Sequence, residues 1–311
     1  MNSFTTINYH YVRPIKNSSY QTIKGLEIKN FIDQLDYLKK NYNIISAEEI
    51  TNYMMHKTKL PKKSCLLTFD DGYKDHHKYV MPELMKKKIS GCFFPSAENI
   101  INNNVTETNK IHFILDQQKN IDLIIKDINN FLISKNFKIP NKKKIYENFE
   151  KKFIKRYDNK KIKYIKFLLQ SWIPDPLKGD CCTFLFNKYL KVNEKEFSKK
   201  LYLSPKEIQE MINNGMTIGG HGYKHLRLGE LSYKNQLIEI NLMLNFLKKF
   251  NIKKKWIMCY PYGSFNNDTK KILKKKDCLF AFSATPGKSL LNKKNTLSIK
   301  RYDTNEFKNL K

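Results

Sequence analysis

Three short segments place reactive side chains directly after apolar runs. The first is Leu66-Leu67-Thr68-Phe69-Asp70-Asp71-Gly72-Tyr73. Adjacent carboxylates repel, so both ionise comfortably only when a cation or hydrogen-bond donors compensate them. One carboxylate on a metal with the other left as a base meets that need, and Gly72 permits the sharp turn that follows. The second segment, Ile218-Gly219-Gly220-His221-Gly222-Tyr223-Lys224-His225, holds two of the seven histidines four positions apart. A helical turn, or a loop folding back from a strand end, brings two such imidazoles to one point. Two histidines and one aspartate make three protein ligands with a fourth position open, the pattern of a hydrolytic zinc site. The third segment is Cys259-Tyr260-Pro261-Tyr262-Gly263. Taken singly, the Asp pair reads equally as a solvated turn, the His pair as a coincidence and the last segment as an ordinary Pro-Gly turn.

The elements that must position these segments follow from periodicity. Phe4 to Tyr11, Asn43 to Ile45, Ser64 to Phe69 and Gly91 to Pro95 read as strands. Between them, Ile28, Phe31, Ile32, Leu35 and Leu38 have helical spacing, Ser46 with Glu49 forms a capping box, and roughly Lys74 to Lys88 is helical. From about Asn99 to Lys200 the alternation stops: apolar residues recur at helical spacing and strand-like runs are scarce. This stretch reads as a helical insertion, 99–203. Alternation resumes at Ser204, where an N-cap, Pro205 and Glu207 open a helix that Gly215 ends. Strands are expected at Met216 to Gly219, Trp256 to Tyr260, Leu279 to Ala284 and Leu297 to Tyr302, with helices at Ser232 to Phe250 and Asp268 to Lys276. The expected fold is α/β: a deformed (β/α) barrel of about seven strands, built from 1–98 and 204–311, with its working residues at the C-terminal strand ends.

Composition narrows the function further. The 311 residues include 58 basic and 29 acidic side chains, a formal charge of +29. Only four of the basic residues are Arg, and the lysine surplus stands beside 33 Asn, as in an AT-rich genome. Specific nucleic-acid readers favour clustered Arg and a recognition motif, so no nucleic-acid partner is expected. A basic surface suits an anionic substrate or peripheral contact with an anionic membrane surface. No apolar run approaches the roughly 20 residues of a membrane span, and the first residues carry no secretory pattern, so a cytoplasmic location is expected. Six Cys lie in apolar runs or as the adjacent pair Cys181-Cys182, a setting for reduced thiols.

Thr68-Phe69-Asp70-Asp71-Gly72, then His221-x-x-x-His225, then Pro261-Tyr262-Gly263 resemble, in that order, the motifs of the polysaccharide deacetylase family, the NodB-like group also called carbohydrate esterase family 4. The resemblance spans about 5–98 and 204–302. It implies removal of acetyl from an N-acetylated sugar with one divalent metal ion, zinc first, with cobalt, nickel, manganese or iron as alternatives. By position, Asp70 matches the family's catalytic base, Asp71, His221 and His225 its metal ligands, and the Tyr262 backbone amide, after Pro261, its oxyanion donor. Tyr73 is expected to shape the pocket.

Two family features are missing. No Arg stands shortly before Pro261-Tyr262, and no His follows His225 to act as general acid. Asn8-Tyr9-His10-Tyr11-Val12-Arg13-Pro14 offers a substitute: it resembles the opening of a subgroup with permuted motifs, in which an early His is the acid. On that pattern His10 protonates the leaving amine. Arg13 is expected to bind substrate or to orient Asp70, with Arg301 a weaker candidate for holding that carboxylate. His76 and His77 are expected to be solvated, and His56 and His112 to sit on helices. The expected substrate is a precursor in bacterial surface-glycan assembly, nucleotide-linked or lipid-linked. A non-catalytic saccharide-binding relative is the alternative, and a basic nucleic-acid-associated protein a more distant one.

Overall fold

The computed structural model describes residues 3–56, 58–140, 145, 147–150, 158–290 and 295–310. The chain divides into two compact units, one of Met1–Pro14, Lys24–Asn104 and Ser198–Lys311, the other of Ile15–Ile23 and Val105–Phe197.

The first unit is built on parallel strands. β1 (Ser3–Tyr9) is buried after its first residue, as a strand covered on both faces must be. It pairs in parallel with β3 (Ser64–Asp71), which has β4 (Cys92–Pro95) and the short β2 (Asn43–Ile44) as further parallel partners. β4 in turn pairs with β5 (Thr217–Ile218). β6 (Trp256–Cys259) and β7 (Cys278–Phe282) form a second, parallel pair. Two isolated parallel bridges, Gly220 to Met258 and Phe282 to Ile299, join the pair to its neighbours. β9 (Tyr302–Asp303) then runs parallel to β1. The strands thus curl around one apolar interior, in a barrel-like arrangement stitched by bridges and not by one continuous ladder. Phe4, Leu66, Phe94, Ile257, Phe282 and Ile299 fill that interior.

Differences from the expected elements are local. Only Tyr302 of the expected last strand belongs to a strand, because Ser298 N–H bonds back to Asn295 and turns the chain just before. β8 (Ser289–Leu290), antiparallel to β1, is two residues long and has no readable period. The helix after Asp71 starts as a π-helical turn at His76–Val80 before the α-helix Met81–Lys86; Pro82 has no N–H to continue an ordinary ladder. The expected capping box forms, with Ser46 and Glu49 exchanging hydrogen bonds, and the expected N-cap Ser204 forms a second with Glu207.

The second unit is helical, with helices at Glu107–Gln117, Ile121–Ser134, Lys160–Phe167 and Leu177–Leu190. It also takes in 15–23. Tyr20 packs edge-on against Phe113, and Thr22 donates its amide and hydroxyl to Asp116 at 2.6 and 2.7 Å.

Along β1 and β3 side chains alternate between the interior and an outer layer under the helices. The outer layer stacks Tyr9 on Phe69 and Phe69 on Phe93, with Phe31 of the helix Ile28–Asn41 edge-on to Tyr9. His76 joins this aromatic layer and is fully buried, which corrects the expectation that it is solvated. Its Nε2–H donates to the His10 carbonyl at 2.9 Å, and its Nδ1 is buried without a partner. Burial therefore holds the ring neutral and pushes its pKa down to about 4. His77, half-buried, reaches Glu210 at 2.9 Å.

A pH dependence of stability follows. Unfolded His76 binds its proton near 6.5 and the folded ring only near 4, so between these values the unfolded state holds more protons. The His76 contribution to stability is greatest above pH 6.5 and falls by about 3 kcal/mol as pH drops toward 4. Urea midpoints measured across that window should fall steeply in the wild type and less steeply in His76→Gln.

Candidate active site at the strand ends

Strand register does much of the positioning. β1 and β3 pair Asn8 with Thr68 and Tyr9 with Phe69, so His10 emerges beside Asp70. Because alternate residues share a face, Thr68 and Asp70 both point inward with Asn8. The Gly220 to Met258 bridge likewise sets His221 beside Cys259, and the His221 Nδ1–H donates to the Cys259 carbonyl at 2.9 Å. That bond fixes the tautomer and leaves the Nε2 lone pair facing the site. Gly219 makes the close approach possible: a Cβ there would stand 2.7 Å from the Ile257 carbonyl oxygen.

Asp71 leaves the alternation. Its φ is +70°, a left-handed conformation that costs an aspartate of order 1 kcal/mol, and Gly72 continues it at +69°. A Cβ at Gly72 would strike the Pro95 Cβ at 2.6 Å. The turn swings the Asp71 carboxylate away from Asp70, so that Oδ1 lies 3.3 Å from Nε2 of both His221 and His225. Tyr73 is buried, stacks on Tyr11 and donates its hydroxyl to Asp71 Oδ2 at 2.6 Å. Burial and the neighbouring Asp71 charge push that phenol well above its ordinary pKa, so it remains a donor. His225, at φ +59°, is brought back toward His221 by a loop whose Tyr223 and Lys224 amides donate to the buried Glu239 carboxylate at 3.1 and 3.0 Å.

Asp70 is 2% exposed, and burial alone would neutralise it. The Arg301 guanidinium prevents this, donating to Oδ1 at 2.9 Å and to Oδ2 at 2.8 Å and holding the carboxyl down to about 2. Arg301 is itself buried and spends its remaining donors on Asn8, Thr68, the Ser283 carbonyl and the Cys259 sulfur. His10 stands at the rim with its side chain 42% exposed and Nε2 3.9 Å from Asp70 Oδ2.

Arg13 is elsewhere. Its Nε donates to Asp75 at 2.6 Å and its guanidinium lies over Tyr11, so the group that orients Asp70 is Arg301. Sequence reasoning rated Arg301 weakly and passed over Cys259 and Glu239. The signal for the first was present: in a chain that uses lysine almost everywhere, an arginine at the end of an expected strand marks a bidentate partner. Pro261 is buried, and the turn it begins puts Tyr262 at φ +56° with its ring 4.7 Å from that of His225. Arg227 caps the same ring at 4.0 Å, a contact with no sequence signature.

Two sets of side chains are spaced to hold a cation: Asp71, His221 and His225, and Asp70, His221 and Cys259. The first fits better. It offers two imidazole nitrogens and a carboxylate oxygen, one imidazole already oriented by a carbonyl. In the second, Arg301 bonds both Asp70 oxygens and the Cys259 sulfur, and its positive charge opposes a cation there.

No curated protein sequence matches significantly. Solved structures with the same fold include a deacetylase, PplD, from Streptococcus pyogenes in complex with acetate, at 16% identity and TM-score 0.59 over 97% of this chain and 92% of that one. IcaB from Ammonifex degensii shares 16% identity at TM-score 0.60, covering 100% of this chain and 96% of its own. A de-N-acetylase from Aggregatibacter actinomycetemcomitans shares 15% at 0.59, covering 100% of both. The sequence profile named Polysaccharide deacetylase matches residues 57–122 and 143–280, which take in the Asp pair, the His pair and the Pro-Tyr-Gly turn. The chain belongs to the polysaccharide deacetylase family.

Proposed function

We propose that this chain is a metal-dependent hydrolase that removes the N-acetyl group from an N-acetylated saccharide. The observation that carries the reading is the division of labour between neighbouring carboxylates. Asp71 meets two imidazole nitrogens, while Asp70 is held ionised by Arg301 and faces His10.

Asp71, His221 and His225 would hold one divalent cation, zinc by donor type. Bound there, such an ion supplies Lewis acidity, polarising a carbonyl and lowering the pKa of water. Tyr73 keeps the Asp71 carboxylate oriented through its second oxygen. Held near 2, Asp70 is a standing anion but a weak base, so it suits a water that is already acidified. Asp70 takes the water proton as the oxygen adds to the acetyl carbon. The Tyr262 backbone amide donates to the carbonyl oxygen as it turns negative. His10, at the open side, gives a proton to the sugar nitrogen; the C–N bond breaks, and acetate and the free amine leave. Acetate bound to the S. pyogenes deacetylase is the small product this reaction releases.

The substrate we favour is a glycan precursor on a nucleotide or lipid carrier, used in bacterial surface-glycan assembly, because the +29 charge attracts a phosphorylated carrier. Six free cysteines support a reducing, cytoplasmic setting. Among the described residues no helix is long and apolar enough to cross a membrane.

Acetate release from a panel of N-acetylated sugars and sugar nucleotides tests the proposal. Chelation should abolish release and added zinc should restore it; turnover by metal-free protein would remove the ion from the mechanism. Asp70→Asn should lower kcat on the order of a hundredfold or more while metal content, measured by elemental analysis, is unchanged. His10→Ala should cut kcat by a factor of about 10² to 10⁴ with little change in substrate binding by calorimetry. Full activity in His10→Ala would return the general-acid role to another group, and binding without acetate release in the wild type would favour a non-catalytic saccharide-binding relative.

A further inference from the structure

We propose that the end of the strand assembly opposite the candidate site docks on a bilayer rich in anionic phospholipid. The inference deepens the reading of a basic enzyme working beside a membrane, and names the face that makes the contact.

In parallel strands linked by helices, the connections that enter the strands gather at one end and those that leave gather at the other. β1 to β5 run parallel, as do β6 and β7, and parallel bridges tie the groups together. His10, Asp70, Asp71 and His221 follow or finish their strands. The connections entering β2, β3, β4, β6 and β7 therefore share the other end. In each of these five, residues 39–42, 58–63, 86–91, 248–255 and 274–277, lysine is the commonest residue, and Asp277 is their one acid. Lys39-Lys40, Lys62-Lys63, Lys253–Lys255 and Lys274-Lys275 are exposed. Asp36, on the helix leading to the first of these connections, is already bonded to Lys87.

Helix dipoles favour the lysines that fall in last turns, such as Lys39 and Lys274, but Lys62, Lys63 and Lys253–Lys255 lie outside helices. Nor does composition account for them. Lys63, Lys88 and Lys255 take φ values of 50, 56 and 55°, a conformation asparagine adopts more cheaply, and an AT-rich genome supplies asparagine as readily. Two large apolar side chains are exposed at the same end: Met55, 44% exposed, in the last turn of the helix Ala47–His56 that leads to β3, and Met85, 43% exposed, in the last turn of Met81–Lys86 that leads to β4. Dense Lys with isolated apolar anchors suits lipid headgroups, which demand charge and not the forked geometry of Arg. None of the five connections contains an Arg. Docked this way, the protein leaves its catalytic end open to a saccharide arriving from solution, which favours the nucleotide-linked precursor over the lipid-linked one.

The test is sedimentation with vesicles of phosphatidylglycerol mixed with phosphatidylcholine, at physiological salt. Wild-type protein should bind these and not pure phosphatidylcholine. Lys86→Gln, Lys253→Gln and Lys275→Gln combined should weaken binding on the order of a hundredfold, at roughly fivefold per lysine. The charge-matched set Lys29→Gln, Lys206→Gln and Lys234→Gln, at helix N-termini beside the candidate site, should leave it nearly unchanged. Equal loss in both sets would show attraction by net charge alone and overturn the proposal, as would preference for duplex DNA over the vesicles. Lysine acetylation footprinting on wild-type protein reads the same face without substitutions: vesicles should protect Lys253–Lys255 and not Lys206 or Lys234, and uniform protection would overturn it. All arms can use Asp70→Asn protein, so vesicle binding and deacetylation succeed or fail separately.

Discussion

The pairing of Arg301 with Asp70 holds the candidate site together. A carboxylate removed from water surrenders its charge unless an opposite charge and donors compensate, and a guanidinium, which keeps its charge, is buried only beside acceptors. Here each solves the other's problem. The remaining Arg301 donors reach Asn8 on β1, Thr68 on β3, Cys259 on β6 and the Ser283 carbonyl just beyond β7. One side chain thus ties four strand ends to the segment that leads into β9. Losing it would strand a buried anion, a cost of about 3–5 kcal/mol, as well as freeing the strand ends.

Around this pair, two aspartates adjacent in sequence are given different chemistry by backbone conformation. Asp70 follows the strand alternation inward to Arg301. Asp71 takes a left-handed turn and faces the imidazoles and the Tyr73 hydroxyl. Like charges this close need separate compensation, and the turn separates them. The strain at Asp71 is sustained by Gly72 packed on Pro95 and by the buried phenol, so positioning is shared among β3, β4 and the loop after β5.

Charge is distributed by residue type as well as by place. Arg13, Arg227 and Arg301 each make a specific planar contact: with Asp75 and Tyr11, with the Tyr262 ring, and with Asp70. Lysine supplies the diffuse field of the connections entering the strands. The distinction is physical: a guanidinium is a fork that fits a carboxylate or a ring face, whereas an ammonium is a hydrated point charge.

Much of this was legible in the amino-acid order. Apolar runs alternating with helical spacing gave the parallel strands, the capping residues marked Ser46 and Ser204, and the Asp-Asp-Gly, His-x-x-x-His and Pro-Tyr-Gly segments marked where chemistry gathers, because these signals are local. Tertiary structure decided what depends on distant partners. The guanidinium that meets Asp70 lies 231 positions away, whereas Arg13, which follows β1 closely in sequence, goes to Asp75 instead. His76 looked solvated because helical position alone does not reveal which face meets an aromatic layer. The local order of residues fixes backbone propensity and side-chain chemistry; only folding brings a charge to its counter-charge, and their attraction strengthens as both leave water together.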